Sequence, residues 1–282
     1  MALPEFELKE PETIEELEKQ LEKHGENSKI LAGGTDLIPA LRDRVHKPKT
    51  IINIKNIDKL NKIEQTGEEL IIGAAVTADK LTKTKKIKKY SALNDALNQH
   101  SDPILRNRAT LIGNLCTASP AGDTPPALLI HNTKIDIQGP NTEKTIKLEN
   151  FFTGVKQNAL QEDEYVKQIK IPKPHKNTKS AYLKWKRNEG EDLAVVGIAA
   201  EINQNNELQL ALSSVAPTPK KIPNTKNTLK QGTKQEQIKK ATKKVQNNIT
   251  PITDTRGNAE YRNHMAKKLT QKILKQLMEE KK

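Results

Sequence analysis

Residues 102–129 read DPILRNRATLIGNLCTASPAGDTPPALL, and their texture sets them apart from the rest of the chain. The stretch is dense in small and turn-forming residues and carries few of the lysines that pervade the remainder. A drifting surface loop would share the lysine bias, so this one is expected to be buried or in contact with something. Thr110 to Asn114 (TLIGN) supplies a hydroxyl, a glycine and an amide within one short turn, and Thr117, Ser119 and Asp123 follow among small residues. Read alone, Asp123 is a turn residue or a helix cap before Pro125-Pro126.

Toward the N-terminus lies a second polar turn. Ile30-Leu31-Ala32 is a short apolar run that breaks into Gly33-Gly34-Thr35-Asp36. Two glycines let the backbone turn sharply and let a ligand approach the main chain. Successive N–H groups in such a turn form an anion-binding concavity, to which the Thr35 hydroxyl can add. Alone, GGTD is a tight turn with a polar tip, and it is neither a dinucleotide fingerprint nor a Walker loop. Two hydroxyl-and-glycine loops in one chain suit a diphosphate clamped from both sides, with Asp123 placed to accept a hydrogen bond from a sugar or ribityl hydroxyl.

The flanking elements are an N-terminal helix, strands and a short helix. Thr13 and Glu16 form a capping box before Ile14, Leu17 and Leu21, and Gly25 stops that helix. Thr50–Ile54 and Leu70–Ile72 read as strands, and Ser91–His100 as a helix with Ser91 as its cap. Beyond the linker Pro172-Lys173-Pro174, three strand-like runs at hairpin spacing (181–186, 193–202 and 208–215) predict an antiparallel sheet. Helices are expected over 235–247 and 259–280, the latter striped by Tyr261, Met265, Leu269, Ile273 and Leu277. The order reads as α+β without regular βαβ alternation.

Composition narrows the function. The 282 residues allow two domains. The 48 Lys+Arg against 35 Asp+Glu give +13, which raises nucleic acid as a partner. The lysines fall as doublets in helical stretches, aromatics are 3%, and no zinc-finger or helix-turn-helix signature appears, so the charge reads as solvated helix faces. Cys116 is the only cysteine, which excludes an internal disulfide or an iron–sulfur cluster held by this chain alone. The start MALPEFELKE lacks a signal-peptide pattern and no apolar run approaches a membrane span, so a soluble, cytoplasmic protein is expected.

Three blocks in order, LAGGTDLIPALR (31–42), RNRATLIGNLCTASPAGDTPPALL (106–129) and TDTRGNAEYRNHMAKKLTQKIL (253–274), resemble the signatures of FAD-binding subunits of molybdenum hydroxylases. These are the medium subunits of aerobic carbon monoxide dehydrogenase and the flavin domain of xanthine dehydrogenase. The resemblance implies a fold like that of vanillyl-alcohol-oxidase-type (PCMH-type) flavoproteins. An FAD-binding domain would span 1–173, with α+β subdomains near 1–55 and 56–173, and an antiparallel-sheet-plus-helix domain would follow over 174–282. It implies that Ala32, Gly33, Gly34, Thr35, Asp36 and Leu37 form the first diphosphate loop. Thr110, Gly113 and Asn114, with Thr117, would form the second, and Asp123 would face ribityl or ribose hydroxyls.

Lys184, in AYLKWKRNEGEDLAVVG, falls where the family has a lysine beside the flavin ring, although in so lysine-rich a chain it also reads as one more surface lysine. Ile112 stands where the family has a glycine, so a glycine there is expected to be tolerated. Asp254, Arg256 and Arg262 read as a structural tie for the last helix.

By the same resemblance the partners are a molybdopterin-binding large subunit and a [2Fe-2S] small subunit, in a heterotrimer or a dimer of heterotrimers. FAD would take electrons from the clusters and pass them to an external acceptor. The alternatives are a self-sufficient FAD oxidase or reductase of the same fold and a basic nucleic-acid-binding protein. No motif marks any of His24, His46, His100, His131, His175 or His264 as a catalytic base.

Overall fold

A computed structural model describes residues 2–188 and 192–279. The chain begins with β1 (Glu7–Lys9), α1 (Ile14–His24), β2 (Ser28–Leu31), α2 (Leu37–Arg42) and β3 (Thr50–Asn53). The three strands form a parallel sheet in the order β1-β3-β2. This corrects the expectation of no βαβ alternation: residues 7–53 are a βαβαβ unit. Its first strand, Glu-Leu-Lys, carries no buried residue and so gives no apolar signal. Helix α1 buries Ile14, Leu17 and Leu21, and Gly25 closes it at φ +40°. Its capping box is half formed. Thr13 Oγ1 accepts the Glu16 N–H at 3.1 Å, but the Glu16 carboxylate accepts the N–H of Glu12 rather than that of Thr13.

The second unit runs through β4 (Ile63–Gln65), β5 (Glu69–Gly73), α3 (Ala78–Lys83), α4 (Ser91–Gln99), α5 (Pro103–Arg106), α6 (Leu111–Thr117), α7 (Thr124–Ile130), β6 (Lys134–Gly139), β7 (Thr142–Lys147), β8 (Phe152–Gly154), β9 (Gln157–Asn158) and β10 (Tyr165–Pro172). Five of the strands form an antiparallel sheet, β4-β5-β10-β6-β7, and β8 pairs with β9. Ser91 is the first helical residue of α4, after Tyr90, and caps nothing. The lysine-poor stretch is buried as expected at its C-terminal end, from Ala121 into α7, all seven residues of which are inside. Pro125 and Pro126 fit its first turn, where backbone N–H groups have no helical partner. The start of the stretch is not buried: Pro103, Ile104, Asn107 and Arg108 are exposed, Ile104 at 79%.

The last unit is an antiparallel sheet of β11 (Lys179–Trp185), β12 (Val196–Ile202), β13 (Leu208–Ser213) and β14 (Lys220–Lys221), followed by α8 (Lys234–Gln246) and α9 (Ala259–Met278). Strand alternation divides its faces. Ala181, Val196, Ile198, Ala200, Leu208, Leu210 and Leu212 join the core with α8 and α9, whereas Tyr182, Ala199 and Ala211 join the N-terminal core against α4 and α7. Small residues on that second face let the helices approach the sheet.

In α9, Tyr261 is 40% exposed and Met265 half-buried, and the inward face begins at Arg262 and Ala266. A strict four-residue stripe advances about 40° per step around a helix of 3.6 residues per turn, so only its later members meet the core. The expected last residue, Glu280, lies outside the described residues. Arg262 is buried, donates to the carbonyls of Val195 at 3.3 Å and Ser214 at 2.9 Å, and pairs with Asp254. Burial alone would raise the Asp254 pKa, but hydrogen bonds from Arg256 and Arg262 outweigh it and hold the carboxyl well below the usual carboxylate range. Among the described residues no helix is long and apolar enough to cross a membrane.

Candidate flavin site

The glycine turn leaves the end of β2 and enters α2. Gly34 takes φ +77°, a conformation that L side chains rarely adopt. Gly33 is required for a different reason. A Cβ there would lie 2.3 Å from the Arg108 carbonyl oxygen and 2.9 Å from Ala109 Cα. The turn is therefore pressed against the chain just before α6, so that residues 32–37 and 110–117 are neighbours in space although they are far apart in sequence.

The backbone N–H groups of Gly33, Gly34, Thr35 and Asp36 have no hydrogen-bond acceptor among the described residues, and neither has the Thr35 hydroxyl. These residues are half-buried, with Asp36 exposed. Consecutive N–H groups left open in a half-sheltered turn are a fitting cradle for a diphosphate. Asp36 accepts the Thr117 hydroxyl at 2.9 Å, which fastens the turn to α6.

The second segment is not the open loop expected. TLIGN is a helix start: Thr110 is the N-cap of α6 and its Oγ1 accepts the Gly113 N–H at 3.0 Å. A Cβ on Gly113 would come within 2.7 Å of that oxygen, so the glycine serves the cap. Asn114 Oδ1 accepts the Thr124 hydroxyl at 2.8 Å, and the Thr117 hydroxyl also reaches the Gly113 carbonyl at 3.0 Å. Ile112 is 3% exposed and belongs to the core, which removes the basis for expecting a glycine there to be tolerated. Burial pushes the Cys116 thiol, on the same helix, up to about 12, which disfavours its thiolate.

Asp123 and Lys184 meet across the boundary between α7 and β11. Asp123 is 3% exposed, and Lys184 Nζ approaches its Oδ2 at 3.0 Å while its own side chain is 2% exposed. This excludes the surface-lysine reading of Lys184, and it sets Asp123 within a charged cluster instead of on an open loop. The Tyr182 hydroxyl donates to Asp123 Oδ1 at 3.0 Å, and His100 Nδ1 lies 3.4 Å from Oδ2. Burial, then the Asp123 charge, pushes the Tyr182 phenol well above its ordinary range. Gly197 makes room for this arrangement: a Cβ there would sit 2.6 Å from the Tyr182 hydroxyl. Tyr182, Gly197 and His100 escaped the reading of the sequence. The one available signal was the two-residue step from Tyr182 to Lys184, which puts both on one face of a strand. Among the described residues no group of three or more His, Cys, Asp or Glu is placed to hold a metal ion.

An open run of backbone donors, a helix start pressed against it and a buried lysine–carboxylate pair have the chemistry that suits an anionic, diphosphate-bearing ligand. The comparisons make that class specific. Residues 4–174 match the model of the FAD binding domain in molybdopterin dehydrogenase, and residues 180–277 match the CO dehydrogenase flavoprotein C-terminal domain. The chain is 30% identical over 281 residues to the carbon monoxide dehydrogenase medium chain of Hydrogenophaga pseudoflava, covering 97% of each. It is 28% identical over 255 residues to the xanthine dehydrogenase FAD-binding subunit of Escherichia coli O157:H7, covering 88% of this chain and 87% of the relative. A solved carbon monoxide dehydrogenase from Hydrogenophaga pseudoflava superposes with a TM-score of 0.92 at 28% identity, covering 98% of both chains. The chain belongs to the family of FAD-binding subunits of molybdopterin dehydrogenases.

Proposed function

We propose that this chain binds one FAD non-covalently and serves as the electron-transfer subunit of a molybdenum hydroxylase complex, an oxidoreductase. The observation that carries this is the run of unpartnered N–H groups at the glycine turn, in a chain whose family is defined by FAD binding. In this reading Ala32, Gly33, Gly34, Thr35, Asp36 and Leu37 hold one side of the diphosphate. The first turns of α6, with Thr110, Gly113, Asn114 and Thr117, shape the other side. Asp123 orients Lys184, whose cation would favour a reduced, anionic flavin, so residues 174–282 would contribute to the site held mainly by residues 1–173. Bound there, FAD would supply a centre able to accept electrons singly and deliver them in pairs.

The relatives are medium or FAD-binding subunits of enzymes with different substrates. Substrate chemistry therefore belongs elsewhere in the complex. With a lone Cys116, this chain needs a partner for iron–sulfur clusters. A molybdopterin-binding large subunit and a [2Fe-2S] small subunit complete the proposal, as a heterotrimer or a dimer of heterotrimers in the cytoplasm.

The test is to purify the protein, record its flavin spectrum and precipitate it with acid. All the colour is expected in the supernatant, at about one FAD per chain. Flavin in the pellet contradicts non-covalent binding. Offered xanthine, aldehydes, nicotinate or carbon monoxide, the isolated protein keeps its colour, whereas dithionite bleaches it. Bleaching by any of these substrates favours a self-sufficient enzyme.

A further inference from the structure

Ser214, the residue after β13, is buried and takes φ +63°, a left-handed conformation that is costly for any residue with a Cβ. Strained backbone of this kind persists only where its surroundings impose it, and it concentrates at ligand sites. Here three hydrogen bonds impose it. The Ser214 N–H donates to the Pro120 carbonyl at 2.7 Å, and its hydroxyl donates to the Ala194 carbonyl at 2.8 Å. Its own carbonyl accepts from Arg262 Nη1 at 2.9 Å.

The bond to Pro120 is the one that leaves the C-terminal unit. Residues 118–123 join α6 to α7 without helix or strand, between Thr117, which donates to Asp36 of the glycine turn, and Asp123. Two carbonyls of this segment are fixed from outside it: that of Ala118 by the Lys156 N–H at 3.1 Å, and that of Pro120 by Ser214. Arg262, from α9, is 2% exposed, and a buried cation is a costly way merely to fasten a helix. Placed on Ser214, it also locks the residue whose N–H holds Pro120.

We infer that Ser214 is a positioning residue for the flavin site; the inference rests on the flavin reading given above. Arg262 and Ala194 hold its left-handed backbone, and the N–H so fixed sets the path of residues 118–123 between the contact of Thr117 with the glycine turn and Asp123. The N–H, the hydroxyl hydrogen and the carbonyl of Ser214 are all engaged within the protein, so it acts through the segment rather than on the ligand. The block 253–274, through Arg262, thereby gains a part in ligand binding beyond tying down α9.

The experiment follows amide hydrogen exchange of the wild type with and without FAD, and titrates FAD into Ser214→Gly and Ser214→Val by flavin fluorescence. Because coupling is reciprocal, the Ser214 N–H is expected to exchange at least about threefold more slowly when FAD is bound. The Thr250 N–H, which donates to the neighbouring Val215 carbonyl at 2.8 Å, is the control and slows less. Glycine accepts the left-handed backbone and keeps the N–H, so Ser214→Gly is expected to bind FAD within about threefold of the wild type. Valine is β-branched and is driven out of that conformation, so Ser214→Val is expected to lose about tenfold in affinity. Equal FAD affinity of the glycine and valine variants overturns the inference. So does FAD that slows Gly33 to Asp36 but slows Ser214 no more than Thr250; the flavin placement then stands and only the role of Ser214 fails. FAD that slows neither contradicts the flavin reading itself, and this inference with it. Should Ser214→Val not fold, the wild-type exchange decides alone.

Discussion

Residues 32–37 and 110–117 look alike on paper: each offers a glycine, a threonine hydroxyl and a short polar side chain. Folded, they are opposites. The first is an open turn whose N–H groups point to no acceptor in the described chain, and the second is a closed helix start whose polar side chains already have partners, within α6, on α7 and on Asp36. A glycine in the first stands at positive φ or against a neighbouring backbone, and the glycine in the second makes room for a cap. Residue type alone does not distinguish a ligand cradle from a helix start. Whether the backbone donors already have acceptors does.

The sharpest way to break this comparison is Gly33→Val. The Cβ clash is with the backbone carbonyl of Arg108, which cannot turn aside as a side chain could. Urea unfolding is expected to show a loss of roughly 4 kcal/mol or more, with FAD binding lost. A normally stable Gly33→Val protein would mean that the two segments are not in contact.

Ile112→Gly tests the closed member of the pair. Removing a fully buried side chain and placing glycine inside a helix is expected to cost roughly 4 kcal/mol. FAD affinity of the folded fraction should change little, because Ile112 faces the core. Unchanged stability with tighter FAD would restore the looser reading of TLIGN.

Asp254→Asn is the control outside both segments. It leaves the buried Arg262 without its carboxylate, at a cost of about 3 kcal/mol at pH 7. The sign with pH follows from the depressed native pKa. The stabilisation is present above the unfolded-state value of about 3.9 and is lost as pH falls through the lower folded value. The wild type and Asp254→Asn therefore converge in acid, and a gap that stays constant below pH 3 contradicts the pairing. The smallest effect is expected for Thr110→Ala, about 1 kcal/mol for a lost N-cap, read by the same urea titration.

Local signals in the sequence were strong where one element could be judged alone. The three hairpin-spaced runs, Gly25 as a helix stop and the burial of the later part of 102–129 follow from apolar spacing and composition. What stayed hidden depended on pairing across the chain. Strand β1 has no apolar pattern because its hydrogen bonds to β3, rather than burial, define it. The Asp123–Lys184–Tyr182 cluster joins residues about sixty positions apart, and nothing in the lysine-rich local sequence marks Lys184 as the one turned inward. The family blocks pointed to the candidate residues of the site, but they could not reveal that TLIGN begins a helix or that Ile112 belongs to the core.

In the proposed site the open turn, and not the closed helix start, supplies the backbone donors for the FAD diphosphate. Amide hydrogen exchange of the apoprotein and of the FAD-loaded protein tests it most directly. The N–H groups of Gly33, Gly34, Thr35 and Asp36 are expected to exchange rapidly in the apoprotein and to slow by at least about tenfold when FAD is bound, while that of Gly113, already held by Thr110, changes little. Saturating FAD that leaves the exchange of residues 33–36 unchanged would mean that the diphosphate is held elsewhere.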